Sequence, residues 1–190
     1  MHTTCRVLLI GGSLRAGSTN TAVLRTAQAV APEAVETALY GGLNALPHFN
    51  PDDDQGQAPL HPAVADLRAH IDAADALLFS TPEYAGALPG SFKNLLDWTV
   101  GGGGIYRKPV AWINASVAPS PAAEAHRSLR IVLGYTGTDI VEAACTDIPV
   151  PRSAVGADGL VHDPALRQKI VSALAALAAH VANRNPLAGC

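Results

Sequence analysis

The sequence predicts an α/β protein: a parallel five-stranded sheet with helices on both faces. Short apolar runs recur along the chain, segments with helical spacing separate them, and the runs are continuous where a half-exposed strand would alternate. Strictly alternating strands and helices imply right-handed crossovers, and helices on both faces bury both sides of each strand. A chain of 190 residues is long enough for one sizeable core, so residues 1–190 are expected to form a single domain.

The strands are expected at 6–10, 35–39, 76–80, 110–114 and 140–145, each next to a turn signal. Ala22, Val23, Thr26, Ala27 and Val30 place the first helix, and Val64, Leu67, Ile71 and Ala74 the second. The third carries Phe92, Leu95, Leu96 and Thr99 after Pro89, with an apolar stripe that also includes Trp98 and reads as core or interface. The fourth runs over 121–133. The last pairs an Asp163 cap with Pro164 at the first helical position, ahead of Ile170, Val171, Leu174, Leu177 and Val181. Five such strands suggest the flavodoxin-like order 2-1-3-4-5 in a three-layer sandwich. A ligand then sits outside the carboxyl ends of the strands, between the first and third, where the winding reverses.

Composition narrows the function. A net charge of -3 without a dense Lys/Arg run argues against a nucleic-acid or anionic-membrane partner. Cys5, Cys145 and Cys190 have no CxxC spacing, which disfavours a disulfide framework or a structural zinc and fits a reducing cytoplasm. No signal peptide is expected ahead of the first strand, and the weakly polar stretch 170–182 is too short to span a membrane. The histidines show no metal-binding spacing, and the acidic run 52–54 reads as a solvated loop in preference to a metal site.

The loop after the first strand is built for an anion. Gly11 and Gly12 are followed by Ser13, Arg15, Gly17, Ser18, Thr19 and Asn20 before helical spacing begins. A helix start offers unpaired N–H groups and the positive end of the macrodipole, hydroxyls add donors, and Arg15 can bond a phosphate. The same residues also fit an ordinary Gly/Ser turn with Ser18 or Thr19 as helix cap. A P-loop is disfavoured because Ser18 stands where its Lys belongs and the third strand ends without a magnesium-binding Asp. A dinucleotide fingerprint is absent, and the second strand ends without an acid for a ribose.

The third strand ends in Thr81-Pro82-Glu83-Tyr84-Ala85-Gly86-Ala87-Leu88-Pro89-Gly90-Ser91-Phe92-Lys93-Asn94-Leu95-Leu96-Asp97-Trp98. Together with Gly12-Ser13-Leu14-Arg15-Ala16-Gly17-Ser18-Thr19-Asn20 and the pattern from Lys108-Pro109 to Ala115-Ser116, this stretch resembles the NADPH-dependent FMN reductase family of flavin, quinone, azo-dye and chromate reductases. The resemblance reaches through the fourth helix; the remainder fits by pattern only. It implies that Ser13, Arg15, Ser18, Thr19 and Asn20 surround an FMN phosphate. It places Pro82, Glu83, Tyr84, Ala85 and Gly86 along the isoalloxazine, mostly through backbone groups, and adds a third contact from Asn114, Ala115 and Ser116. It further implies NADPH or NADH as co-substrate, hydride transfer to flavin N5, a small-molecule electron acceptor, and a homodimer or homotetramer packed through the third helix. Apart from the family, Tyr84 reads as an aromatic capping the core and Glu83 as a solvated charge. The family's glycine-rich turn after the fourth strand is replaced by Ala118-Pro119-Ser120-Pro121, with Glu124 at its Arg position and His126 at its Gln position. A flavodoxin-like electron carrier and a non-catalytic FMN-binding module are the alternatives to an enzyme.

Overall fold

The computed structural model describes residues 4–56, 59–102, 104–118 and 122–184. Gly103, Pro119 to Pro121 and Cys190 lie outside them. In chain order come β1 (Cys5–Gly11), α1 (Thr19–Ala29), β2 (Val35–Tyr40), α2 (Pro62–Ala73), β3 (Ala76–Ser80), α3 (Gly90–Asp97), β4 (Pro109–Asn114), α4 (Ala123–Tyr135), β5 (Asp139–Ile140), β6 (Thr146–Asp147) and α5 (Pro164–Arg184). The sheet order is β2-β1-β3-β4-β5, with β6 also on β4 and every pair parallel.

The pleat sorts the apolar runs into two cores. Leu8, Ile10, Leu77, Phe79, Val110 and Trp112 face α2, α3 and α4. Val7, Leu9, Ala76, Leu78, Ala111 and Ile113 face α1 and α5. Successive strand residues point to opposite faces, so covering both faces buries every residue of β3 and β4 and removes alternation from the sequence. Phe92, Leu95, Leu96 and Trp98 turn into the chain's own core, and the Trp98 indole N–H donates to Pro47 O at 2.9 Å.

Two elements depart from expectation. The fifth strand is not continuous over 140–145: Val141 N still donates to Val110 O at 2.8 Å, then a 3-10 turn at Glu142–Ala144 lifts the chain off β4. Pairing resumes where Thr146 meets Ile113. The segment between, Glu-Ala-Ala, has no β-branched side chain to hold a ladder. Its small Ala144 is fully buried against α5, while Glu142 turns outward to pair with Arg130. The third helix stops at Asp97, short of Thr99, whose hydroxyl bonds back to Leu96 O at 2.6 Å as the glycine run begins. There Gly101 and Gly102 let the backbone close over the Arg68–Asp54 pair, which a Cβ at either position would strike. The acidic run is thereby tied to α2, and no cluster that could hold a metal is found among the described residues. At α5 the Asp163 carboxylate accepts from Leu166 N at 3.0 Å, as the expected cap does. No helix of the described residues is long and apolar enough to cross a membrane.

Candidate functional site

A cleft of about 470 Å³ opens at the carboxyl ends of β1, β3 and β4, at the reversal of winding between β1 and β3. Thr19 and Asn20 line it from α1, Thr81 to Glu83 from the loop after β3, and Ala115 to Ala118 from the loop after β4. Ala122, Val150 and Arg152 complete the described wall. Its size suits a small molecule or cofactor.

The first wall is the entry to α1. Gly12 N extends the ladder to Ser80 O at 2.9 Å, and a Cβ at Gly12 would lie 2.2 Å from Thr81 Oγ1. Only glycine lets the loops after β1 and β3 approach this closely. Gly17 has φ of 68°, a left-handed turn that feeds the chain into the helix. Ser18 occupies the N-cap and is buried, yet its side chain caps no N–H. The first-turn N–H groups of α1 therefore remain for a ligand, which separates this loop from the ordinary capped turn the sequence also allowed. Ser80, fully buried, donates its hydroxyl to Ile113 O at 2.8 Å and lies 2.9 Å from the Asn20 amide. One end of that amide is thus held, and the other is left to the cleft. Ser13 and Arg15 sit on the exposed arch of the loop, where the Ser13 hydroxyl accepts from Arg15 N at 3.3 Å, outside the cleft's lining.

The second wall is a tight hairpin. Tyr84 N donates to Ala87 O at 3.0 Å and Ala87 N to Tyr84 O at 3.1 Å, with φ of 51° at Ala85 and 71° at Gly86. Positive φ at both central residues is the type I′ turn. It carries Tyr84 away from the core, 49% exposed, so this ring is not a core cap. Nor is Glu83 a solvated charge: its Oε2 accepts from Glu124 N at 3.0 Å and Ala125 N at 3.1 Å. Ala122, at the N-cap of α4, has no side chain able to do this, so the acid is supplied from the neighbouring loop, at the positive end of the helix.

The third wall hangs on Asn114. Its Nδ2 donates to Asp147 at 2.8 Å and its Oδ1 accepts from Ser116 N at 3.1 Å, so the side chain braces β6 and the loop from beneath. Ser116 lines the cleft directly. Neither substituted position of the α4 entry lines it: Glu124 pairs with Arg127 at 3.3 Å, and the His126 ring turns back onto Ala122 O at 2.8 Å, near Trp112. Burial lowers the His126 pKa, with the carbonyl of Ala122, Asp147 and Glu83 acting the other way. Of the expected residues, then, Thr19, Asn20, Pro82, Glu83, Ala115 and Ser116 meet in the cleft, and Ser18 stands at the N-cap of α1 with its side chain capping no N–H. Ser13, Arg15 and Tyr84 to Gly86 stand on the two arches around it, and Asn114 stands beneath it. Arg152 was not foreseen; the one signal for it was a loop leaving the last strand at the same end of the sheet.

Residues 5–146 match the protein family described as NADPH-dependent FMN reductase. An NAD(P)H-dependent FMN reductase of Pseudomonas aeruginosa is 34% identical over 179 residues, 90% of this chain and 92% of the relative. A 2-hydroxy-1,4-benzoquinone reductase of a Burkholderia species is 29% identical over 187 residues, 94% of this chain and 97% of the relative. Among solved structures, a flavoenzyme NAD(P)H:(acceptor) oxidoreductase of Paracoccus denitrificans superposes with a TM-score of 0.76 at 30% identity, covering 95% of this chain and 98% of that one.

Proposed function

The chain belongs to the NADPH-dependent FMN reductase family, and from that premise we propose that it is an NAD(P)H-dependent FMN oxidoreductase with its flavin in the cleft above β1, β3 and β4. The observation that carries the placement is the entry to α1: an N-cap serine that caps nothing, opening into a cleft walled by two loops of small side chains. When bound, FMN would supply the redox chemistry between a reduced nicotinamide and a small electron acceptor.

The protein's own part is to hold and orient. The first-turn N–H groups of α1, with Ser18, Thr19 and Asn20, would hold the phosphate, and Ser13 and Arg15 would add donors from the loop. Pro82 to Gly86 would line the ring, mostly through main-chain groups, because Ala85 and Gly86 bring almost no side chain to that loop. Ser116 makes the third contact, and Asn114 acts through it by fixing its N–H. Glu83 couples ring loop and α4: its carboxylate, committed to two amides, sets where the hairpin stands. A quinone, free flavin, azo compound or metal oxyanion all suit the open side of such a site. A single domain over 1–190, a cytoplasmic location and a homodimer or homotetramer belong to the same reading. Support for assembly comes from Ile131 and Tyr135, one turn apart on α4 and 54% and 92% exposed.

The test is a visible spectrum of protein incubated with FMN and desalted, recorded before and after NADPH or NADH without oxygen. A retained flavin spectrum that bleaches is the expected result. Retained flavin that stays oxidised with both nucleotides refutes the reductase and leaves an electron carrier or a binding module.

A further inference from the structure

Two of the described side chains lining the cleft carry charge, Glu83 and Arg152. The first is spent on the amides of Glu124 and Ala125. Arg152 has no ion pair and no side-chain hydrogen bond among the described residues. The acids of the flanking segments have partners of their own: Asp147 accepts from Asn114 at 2.8 Å, Glu124 pairs with Arg127, and Asp158 accepts from His162 at 3.0 Å. Once the α4 cap is subtracted, the described lining of the cleft keeps one uncompensated charge, and it is positive.

The path of the chain puts that charge where it stands. Past β6, Ile148 N donates to Asn114 O at 2.8 Å and Val150 N to Ala115 O at 3.1 Å, so the strand edge continues to the rim of the cleft. Pro151 and a 3-10 turn at Arg152–Ala154 then redirect the chain toward α1, where Val161 N donates to the Thr26 hydroxyl at 2.9 Å. Arg152 is thereby held on the rim, sharing the cleft with Thr19 and Asn20 at the positive end of α1. Unpaired helix N–H groups, the helix dipole and a free guanidinium acting on one small volume all favour a compact, doubly charged oxyanion.

We propose that Arg152 is a phosphomonoester-binding residue of this cleft. The inference rests on the flavin reading above, under which the group is the 5′-phosphate of FMN. A 2′-phosphate of NADPH has the same chemistry, and the experiment separates the two.

Apoprotein is titrated with FMN and with riboflavin, following quenching of flavin fluorescence, for the wild type, Arg152→Gln and Arg152→Lys; KM for NADPH and NADH is then measured at saturating FMN. The expected result is that Arg152→Gln weakens FMN roughly tenfold to a hundredfold, the range for a hydrogen bond to a charged group. Riboflavin binding stays unchanged, and Arg152→Lys recovers part of the loss. An unchanged FMN affinity with a raised KM for NADPH alone assigns the same grip to the 2′-phosphate. Equal loss of FMN and riboflavin, or no change toward FMN and NADPH, overturns the proposal. A wild type that binds neither flavin overturns the flavin reading beneath it.

Discussion

Removing the Glu83 carboxylate should cost stability in α4 and flavin affinity in the cleft, because one side chain serves both. Its Oε2 accepts from Glu124 N and Ala125 N at 3.0 and 3.1 Å. In Glu83→Ala the first amide regains water, since Glu124 is exposed. The second does not: Ala125 is fully buried, and its N–H becomes an unsatisfied donor at about 1 to 3 kcal/mol. Loss of the negative charge at the helix start adds about 0.3 to 1 kcal/mol. We therefore expect Glu83→Ala to lose about 1.3 to 4 kcal/mol, from the upper part of the range for helix-cap removals, which ends at about 2 kcal/mol, to beyond it. Glu83→Gln keeps an acceptor and loses the charge, so it should lose only about 0.5 to 1 kcal/mol. Urea unfolding gives both numbers, and hydrogen exchange should show faster opening at the amino end of α4 with α5 unaffected. FMN affinity should fall in the order Gln then Ala, since the hairpin carrying Pro82 to Gly86 is no longer fixed. An alanine variant as stable as the wild type, with unchanged exchange in α4, refutes the coupling.

Arg15→Ala should weaken FMN binding by about 1.5 to 3 kcal/mol, the worth of a charge-assisted bond, and an unchanged dissociation constant by fluorescence titration removes Arg15 from the phosphate site. Gly86→Ala isolates backbone strain: φ is 71° and a Cβ there meets nothing within 4 Å, so a loss of about 1 to 2 kcal/mol in urea unfolding comes from the left-handed conformation alone. Tyr40→Phe should stabilise by about 1 kcal/mol, because the Tyr40 hydroxyl is buried without a partner among the described residues; a destabilised variant shows that the hydroxyl is satisfied. The same burial pushes the Tyr40 pKa up to about 12. His126 gives a pH dependence. Burial holds its folded pKa below the ordinary 6.5, so between the folded and unfolded values the unfolded chain binds more protons. Stability should fall as pH drops below about 6.5, and His126→Gln should flatten that part of a pH series of urea midpoints.

The fold was legible because its signals are periodic. Leu8 and Ile10 face one core and Val7 and Leu9 the other, so covering both sheet faces writes itself into the chain as an unbroken apolar run. Asp163 before Pro164 is equally local, a cap and a helix start side by side. The fifth strand was illegible for the converse reason. Whether Glu142 to Ala144 continues a ladder or turns out of it depends on α5 arriving over Ala144, which no spacing within the segment records. Thr99 failed likewise: helical spacing persists into a turn whose end is set by the glycines closing over Arg68.

The site divides along the same line. Backbone devices were readable, because Gly12, Gly17 and Gly86 are residue types whose conformational reach is fixed by having no Cβ. The roles of long side chains were not. Glu83 and Arg152 lie in loops of similar polarity, and each can reach solvent, a ligand or a distant helix end with its rotamers alone. What assigns them is the supply of partners. α4 begins at an alanine with no capping atom, and the Glu83 carboxylate takes the place of the cap. With that carboxylate taken and Asp147 held by Asn114, Arg152 is left facing the cleft without a counter-ion among the described residues. The alanine at the N-cap of α4 is thus the residue that decides the sign of charge a ligand meets. An Ala122→Asp variant, by capping α4 itself, should release Glu83 toward the cleft and weaken the binding of an anion there.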